Sequence, residues 1–304
     1  AKPLGGVESA VINLMVELAK RGHDVHVRNN CVTSLDYKGV SWRPIQEPWP
    51  KKVDLYIANR GDKLIDRMQN ARKTIFWVHN PARYLLKWRY LSKLWRTKPV
   101  IVFIGRVHEN TYPAWAPSGR KVIIPYGVSE DFCQALPLRK SPAPRAVFTS
   151  NPLRSLDWLL DLWEAHIQPH VPVAELHLFT GAATYGAVGE AKVKDIAKVL
   201  KQAKSLADQG VVLRGTVAKS QLIDEFREAR CMLYRGDINE TFCLAVGEAQ
   251  AMGVPAVVQH RGSVVERVID GETGFIARDD RAFHDAAIKL LSDDGLWSRQ
   301  HLCA

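Results

Sequence analysis

The chain has 304 residues, 46% of them hydrophobic, and a formal net charge of +10. This length and composition allow two cores of ordinary size. No apolar run reaches the ~18 residues of a membrane-spanning helix, and residues 1–30 lack the apolar block of a signal peptide. Five scattered cysteines without a CxxC pair argue against a disulfide framework or a zinc site and predict a reducing, cytoplasmic location. The positive charge predicts an anionic partner.

The first half of the chain alternates helical and strand patterns. Apolar positions at helical spacing over residues 7–21 predict a helix that ends at Gly22. Short apolar runs predict strands at residues 23–27, 53–58, 74–78, 100–104 and 121–125. Residues 136–144 are rich in proline and basic residues and show no apolar period. They predict the linker between a first domain, 1–138, and a second, 145–304.

The same alternation restarts after this linker. Predicted strands are 145–149, 175–180, 211–213 and 231–234, and predicted helices are 156–166, 190–207 and 221–229. Strands that alternate with helices imply parallel sheets with helices on both faces. We therefore predict an α/β protein with two Rossmann-like, doubly wound parallel-sheet domains that face a cleft. Because such a domain starts with a strand, we expect one before Gly5 and interpret the sequence as trimmed at both ends.

The stretch Glu240-Thr-Phe-Cys-Leu-Ala-Val-Gly-Glu248 carries the clearest functional signal. One acid precedes a predicted helix, a second lies inside it, and Gly253 and Pro255 end it before an apolar strand. A helix start offers free N–H groups and a positive dipole end to a phosphate. Ionised carboxylates accept strong hydrogen bonds from hydroxyl groups. This combination predicts a site for a nucleotide sugar.

Together with the following Ala-x-Gly-x-Pro-Ala-Val, this segment resembles the E-x7-E signature of retaining, family-4-like glycosyltransferases with the GT-B fold. The resemblance implies that the first domain is on the acceptor side and that the second binds the nucleotide sugar. It also implies that Glu240 faces the donor sugar and that Glu248 accepts the ribose hydroxyls. The amides that it implies for the distal phosphate are those of Thr241, Phe242, Cys243 and Leu244.

Two segments of the first domain fit the same family. Gly5 and Gly6 lead into the first helix, where a backbone without side chains can approach the donor's phosphates and sugar. His79 follows the strand 74–78, at the kind of strand end where α/β proteins bind ligands. The resemblance implies that His79 contacts the transferred sugar, whereas the residues alone are equally consistent with an ordinary surface histidine.

The diphosphate clamp of the resembled family is only half present. Arg154 falls where the family has a lysine, and it can still bind phosphate through its fork of N–H groups. Asn151 falls where the family has an arginine, so one positive charge is lost. Replacement charge could come from Arg214, Arg235 or Lys219. Further matches to the family, Glu266 and the turn 270–274, are interpreted as structural.

The stretch 84–98 is aromatic and basic, and residues 83–98 contain six Lys and Arg residues and no acid. One interpretation is an amphipathic helix whose Leu and Trp side chains pack inward. The other is a helix on an anionic membrane surface, with Trp88, Tyr90 and Trp95 at the level of the headgroups. The sequence leaves both open.

The sequence as a whole predicts a metal-independent retaining glycosyltransferase of the hexosyltransferase class, and no cofactor. No Asp-x-Asp motif is present, so we expect helix amides and Arg154, with no metal, to meet the charge of the leaving group. The expected partners are a UDP-sugar, or second GDP-mannose, and a glycan or lipid-linked acceptor, as in polysaccharide biosynthesis. Alternatives are a sugar-nucleotide epimerase or hydrolase of the same fold, or a non-catalytic nucleotide-sugar-binding protein. Nucleic-acid binding has only the charge in its favour.

Overall fold

The computed structural model describes residues 5–133, 140–181 and 192–304. The chain divides into two compact units, an N-terminal one of Val7–Gly127 and a C-terminal one of Val128–Ala304 that also includes Gly5 and Gly6, the first residue of α1. Each has its own parallel sheet and its own helices, as the alternating pattern predicts. Within these three ranges no helix is long and apolar enough to cross a membrane.

The N-terminal unit contains two sheets and short helices. Its helices are α1 (Gly6–Lys20), α2 (Asp62–Ile65), α3 (Trp88–Thr97) and α4 (Arg106–Glu109). Its strands are β1 (Val25–Asn29), β2 (Leu35–Tyr37), β3 (Val40–Pro44), β4 (Val53–Asn59), β5 (Ala71–Trp77), β6 (Val100–Phe103) and β7 (Arg120–Ile123). One sheet has the order β1-β3-β2, and the other is parallel with the order β4-β5-β6-β7.

Local sequence explains the main elements of this unit. Helix α1 has Glu8 in its first turn and Lys20 in its last, which matches the helix dipole, and Gly22 follows it at a φ of +85°. The strands of the four-stranded sheet carry apolar runs whose buried members include Phe76, Ile101 and Phe103. These runs are buried because helices cover a parallel sheet on its faces. Because β4 and β5 are adjacent and parallel, their carboxyl ends lie side by side.

The C-terminal unit is a single doubly wound domain. Its helices are α5 (Leu156–Leu162), α6 (Val193–Ser205), α7 (Lys219–Arg227), α8 (Leu244–Ala251), α9 (Asp280–Ser292) and α10 (Asp294–Cys303). Its strands are β8 (Arg145–Phe148), β9 (Glu175–Leu178), β10 (Val211–Leu213), β11 (Cys231–Leu233), β12 (Ala256–Gln259) and β13 (Gly274–Ala277). All pairs are parallel, in the order β10-β9-β8-β11-β12-β13. The order reverses between β8 and β11.

The core of this unit lies between the sheet and the helices on its faces, and it contains Phe148, Trp163, Phe226, Tyr234 and Phe283. A π-helical turn, Trp163–Ile167, extends α5. The last two helices start at aspartates whose side chains accept the N–H of Ala282 and of Leu296, at 2.8 and 2.9 Å. These caps fix the starts of two helices that the sequence analysis leaves unassigned.

Most predicted elements are present, with bounds shifted by a few residues. Strands β2 and β3 occupy residues to which the sequence analysis assigns no element, and β13 begins at Gly274, the last residue of the predicted turn at 270–274. Of the predicted linker, residues 140–144 form neither helix nor strand, and residues 136–139 lie outside the described residues. Residues 190 and 191 of the predicted basic helix also lie outside them.

The basic aromatic stretch is helical, but its tryptophans do not pack inward. Trp88 and Trp95 are 79% and 73% exposed, whereas Tyr90 and Leu94 are buried. The expectation that the tryptophans fill the core is therefore wrong. The expectation that Tyr90 stands at the level of lipid headgroups is also wrong, because Tyr90 lies on the inward face of α3.

Candidate functional site

The carboxyl ends of β8 and β11 form the point where the strand order of the C-terminal sheet reverses. Doubly wound sheets bind their ligands at such a switch point, because the loops after the two strands run in opposite directions. The loop after β8 carries Asn151 and Arg154, and the loop after β11 carries Glu240. The structure thus brings together residues that are 86 positions apart in the sequence.

Glu240 is the best-fixed side chain of this point. It is 7% exposed, and its Oε2 accepts a hydrogen bond from the Tyr234 hydroxyl at 2.5 Å and pairs with the Arg154 guanidinium. Burial, with a contribution from Glu240, raises the pKa of Tyr234 well above its usual value, so this hydroxyl remains a donor. Burial would lower the pKa of Arg154, but the Glu240 carboxylate raises it, so the guanidinium stays charged.

Backbone geometry places the Glu240 carboxylate. The side chain of Asp237 accepts the N–H of Asn239 at 2.8 Å, and its carbonyl accepts the N–H of Glu240 at 2.9 Å. The Glu240 carbonyl accepts the N–H of Ser263 at 3.0 Å. Gly262, at a φ of +55°, makes this close approach possible, because a Cβ there would lie 2.3 Å from the Asp237 oxygen. The loop after β11 is thereby held against the loop after β12.

Helix α8 begins immediately after this loop, on a strained residue. Its N-cap, Cys243, has a φ of +64° and is buried, and no side chain caps the helix there. Left-handed backbone costs a non-glycine residue about 1–2 kcal/mol. Ser155 before α5 has the same conformation, with a φ of +59°. Both helices that follow the switch-point strands therefore start at a left-handed residue.

Asn151 shapes the loop that presents Arg154. Its side-chain oxygen accepts the N–H of Leu153 at 2.9 Å, and its carbonyl accepts the N–H of Arg154 at 2.9 Å. This is the turn that asparagine side chains favour. The position where the resembled family has a cation is thus occupied here by a turn-forming residue. Its predicted contact with a donor stays a prediction.

Glu248 lies one turn into α8 and is 4% exposed. Its Oε1 accepts from Lys219 Nζ at 2.6 Å, and the same Nζ also binds its Oε2. Burial raises the pKa of the Glu248 carboxyl, and Lys219 opposes that rise. Lys219 stands 5.6 Å above the ring of Phe132 and has a side chain that is 45% exposed. This ion pair joins the start of α7 to α8.

The three cations proposed as replacements for the lost clamp charge all have protein partners. Lys219 binds Glu248, Arg214 binds Glu225, and Arg235 donates to the Gln259 side chain at 2.8 Å. A fourth cation was not predicted: the Arg267 guanidinium lies 4.2 Å from the ring of Phe242. Its side chain is 15% exposed, and burial lowers its pKa. The sequence analysis did not identify Arg267, because its contact is with an aromatic ring and no sequence motif marks such a contact.

Gly6 belongs to the same compact unit as α8. A Cβ on Gly6 would lie 3.7 Å from the Cβ of Leu244, so the glycine stands beside the start of α8. This is ordinary van der Waals contact and does not by itself require glycine. Gly5 precedes α1 and forms neither helix nor strand.

His79 lies in the N-terminal unit, after the end of β5, and is 2% exposed. Its Nε2 is 2.5 Å from Asn59 Oδ1, and its Nδ1 is bound to the Tyr126 hydroxyl. Because Asn59 Oδ1 only accepts, Nε2 carries the hydrogen and Nδ1 accepts from Tyr126. Burial, followed by Arg60 and His108, lowers the pKa of His79 to about 3. His79 is therefore a neutral, oriented ring, and its contact with a sugar stays a prediction.

Within residues 5–133, 140–181 and 192–304, no three or more His, Cys, Asp or Glu side chains are grouped as metal ligands. The charged groups at the switch point are instead two carboxylates, each bound to one cation. Such an arrangement can bind hydroxyl groups through the carboxylates and an anion through the cations and the start of α8.

Comparison with known families identifies the C-terminal unit. Residues 143–293 match the family model described as "Glycosyl transferases group 1". The D-inositol 3-phosphate glycosyltransferase of Streptomyces avermitilis is 36% identical over 85 residues, which are 28% of this chain and 18% of that protein. The chain thus spans less than a fifth of the length of this curated relative.

Two solved structures illustrate the shared fold. HepE of Anabaena, in complex with UDP and glucose, superposes with a TM-score of 0.75 at 13% identity, over 100% of this chain and 91% of that one. TarM of S. aureus, in complex with fondaparinux, alpha-GlcNAc-glycerol and UDP, gives a TM-score of 0.58 at 14% identity. That match covers 78% of this chain and 47% of TarM. At such identities the likeness concerns the fold, which is the predicted GT-B type with two Rossmann-like domains.

Proposed function

We propose that this chain, which belongs to the glycosyl transferases group 1 family through residues 143–293, is a glycosyltransferase. It transfers a hexosyl group from a nucleotide-diphosphate sugar to a glycan or lipid-linked acceptor, with retention of anomeric configuration and without a metal ion. A UDP-sugar is the preferred donor and GDP-mannose the second. The observation that supports this proposal most directly is the ion pair between Arg154 and Glu240 at the switch point, beside the start of α8.

The donor's diphosphate is the group that needs stabilisation when the glycosidic bond breaks. Arg154 is charged and has a 39% exposed side chain, so a phosphate oxygen can reach it. The first N–H groups of α8 and the helix dipole supply the remaining positive potential. Preorganised donors of this kind stabilise developing negative charge more strongly than water does.

Glu240 then holds the donor sugar. Its Oε2 is bound to Tyr234 and Arg154, and its Oε1 has no partner among the residues that the structure describes. A sugar hydroxyl can therefore donate to Oε1 while the other oxygen keeps the carboxylate in place. Because Arg154 binds the same carboxylate, the sugar and the leaving group are oriented by one connected set of side chains.

The reaction begins with cleavage of the bond between the anomeric carbon and the diphosphate, and the bonding electrons leave on the phosphate oxygen. The resulting oxocarbenium-like sugar is attacked by the acceptor hydroxyl on the face that the diphosphate has left. The departing phosphate oxygen takes the proton of that hydroxyl. Glu240 positions the sugar and forms no covalent bond. A contact between neutral His79 and the transferred sugar requires the ring to give up its bond to Asn59 or to Tyr126.

Glu248 binds the ribose hydroxyls of the donor. It does so by sharing its carboxylate with Lys219, whose 45% exposed side chain can turn towards solvent when the ribose arrives. The preference for a UDP-sugar is supported by HepE, a structural neighbour in complex with UDP and glucose. The glycan acceptor is supported by TarM, whose complex contains fondaparinux and alpha-GlcNAc-glycerol.

A thermal-shift panel of UDP-, GDP-, ADP- and dTDP-sugars, each with and without EDTA, tests the donor and the metal. We expect stabilisation by UDP-sugars that EDTA leaves unchanged and that Glu248→Gln abolishes. Glu272→Gln, a change to an exposed acid of the same unit, is the matched control. Loss of the shift in EDTA would refute metal independence. Stabilisation by GDP-mannose alone would replace the first donor by the second.

Transfer itself is measured with a labelled donor and a panel of glycans and lipid-linked sugars, followed by NMR of the product's anomeric centre. Glu240→Gln should bind the nucleotide and lose transfer, because the sugar loses a charged hydrogen-bond acceptor. An inverted product would refute retention. Nucleotide-sugar turnover that needs no acceptor would favour the epimerase or hydrolase alternative. Binding without any turnover would favour the non-catalytic one.

A further inference from the structure

We propose that the outer face of α3 binds an anionic lipid surface. This face, called here the α3 strip, consists of Trp88, Leu91, Trp95 and the flanking Lys87, Arg89, Arg96 and Lys98. Trp88 and Trp95 are 79% and 73% exposed, and the cations named here are exposed as well. The inference concerns the N-terminal unit and does not depend on the proposed transfer reaction.

Helix geometry puts the tryptophans together and turns them outward. Positions 88, 91 and 95 follow the i, i+3, i+7 spacing, so they share one side of the helix. Tyr90 and Leu94 lie on the inward side and are 6% and 0% exposed. The inward face is therefore already packed, and the tryptophans do not contribute to the core. Trp115, which is 71% exposed, is another large aromatic residue on the surface of this unit.

Two exposed tryptophans next to cations match the chemistry of a membrane–water interface. An indole has an apolar body and one N–H donor, so it is most stable at the boundary between acyl chains and headgroups. Arg89 and Arg96 each follow a tryptophan by one position, and their side chains are 63% and 67% exposed. Arginine and lysine next to such rings can bind the phosphates of the same headgroups.

The nearby acids reduce this charge without cancelling it. Asp66, which directly follows α2, pairs with Lys93 at 2.8 Å and with Arg96, and Asp62 at the start of α2 lies 3.9 Å from Arg89. These contacts fix α3 on α2 and hold the arginines on the rim of the strip. Lys87 and Lys98 form no ion pair within the described residues. Because cations remain in excess, the strip attracts anionic lipid more strongly than neutral lipid.

The length of α3 and its few anchoring side chains set the strength of lipid binding that we expect. A helix of ten residues is ~15 Å long, which allows the tryptophans to reach the interface while the chain stays outside the acyl region. Two anchors and a few cations give reversible association. A lipid surface also fits the lipid-linked acceptor in the proposed function, although binding would occur with any acceptor.

Vesicle co-sedimentation with the full chain tests the proposal, using phosphatidylcholine vesicles with and without phosphatidylglycerol. We expect binding to the anionic vesicles that weakens with salt, together with a blue shift of tryptophan emission. The Trp88→Ala/Trp95→Ala variant should bind at least about tenfold more weakly. Because both side chains are exposed, its melting temperature should equal that of the wild type, which a thermal melt checks.

A pair of charge variants separates a specific strip from the general positive charge. Lys87→Glu/Lys98→Glu and Lys198→Glu/Lys201→Glu lower the net charge equally, and the second pair lies exposed on α6, which has no tryptophan. We expect about tenfold or greater loss for the first pair only, because each cation near an anionic surface contributes about fivefold. Equal losses for both pairs would overturn the proposal. No preference for anionic vesicles, or a dimer in solution that Trp88→Ala/Trp95→Ala dissociates, would overturn it as well.

Discussion

Removing Lys219 should destabilise the protein far more than removing the carboxylate that it binds. In Lys219→Met, Glu248 remains a carboxylate that is 4% exposed and has lost its cation. Breaking a buried pair in this way costs roughly 3–5 kcal/mol. In Glu248→Gln, the remaining lysine is 45% exposed and can be solvated, so the cost is within about 1 kcal/mol. In a unit of this size these costs correspond to melting-temperature losses of ~10 °C and of ~3 °C or less.

The double variant Lys219→Met/Glu248→Gln should recover most of the larger loss, because it leaves no buried charge. Scanning calorimetry of all four proteins gives the coupling between the two positions. Circular dichroism at 25 °C would confirm that each variant is folded before the melt. Equal losses for the two single variants would refute the reasoning that burial of the carboxylate determines the cost.

The same pair predicts a pH dependence. Burial raises the pKa of Glu248 above its ordinary value of 4.5, so the unfolded chain loses this proton at a lower pH than the folded one. The contribution of Glu248 to stability is therefore fully present below pH 4.5 and is lost as the pH rises through the folded pKa. Without Lys219 the folded pKa rises further. The deficit of Lys219→Met should grow from about pH 5 towards pH 8, and a deficit that is constant with pH would contradict this account.

Three other changes test the geometry of the site and of His79. Gly262→Ala should lower the melting temperature and abolish transfer, because a Cβ there would collide with the Asp237 carbonyl. The control Gly271→Ala, at a glycine with open space around it, should keep transfer. Retained transfer in Gly262→Ala would show that the loop can yield. Cys243→Gly should be more stable than Cys243→Ala by about 1 kcal/mol in a denaturant titration, since glycine relieves the left-handed backbone, and the reverse order would refute strain at this position. His79 has its pKa lowered to about 3, so its neutral form stabilises the fold above pH 6.5, and this stability is lost as the pH falls through that value, by about 3 kcal/mol at pH 4. His79→Gln should flatten that part of the stability profile, and an unchanged profile would show that His79 does not determine it.

The sequence is sufficient to predict the alternation of strands and helices, because apolar runs and their periodicity are local properties. The β2–β3 hairpin was missed although a signal exists. Lys38 and Gly39 between the two short strands adopt φ values of +49° and +79°, and such two-residue turns favour glycine. Strand β2 is too short and too exposed to show an apolar pattern, whereas β3 does alternate, with Val40 and Trp42 buried.

Within the candidate site, the sequence motif identifies Glu240, Glu248 and Arg154, but it does not predict their partners. Lys219 reaches Glu248 across 29 positions through the placement of two helices, and Tyr234 reaches Glu240 across six positions through the fold of the loop after β11. The outward orientation of Trp88 and Trp95 was also unpredictable. Helical spacing groups the residues into faces, but only the packing of Tyr90 and Leu94 decides which face is covered.

The two carboxylate–cation pairs have a consequence for how a ligand arrives. The formal charges of Arg154, Glu240, Lys219 and Glu248 cancel, so these side chains exert little long-range attraction on a dianion in solution. Steering of a charged molecule into a cleft depends on uncompensated potential and falls with ionic strength. These four side chains therefore add little to steering, and the net charge of +10 carried by the rest of the protein would set any salt dependence of encounter. Selectivity at this position arises after collision, when hydroxyl groups compete with each cation for its carboxylate.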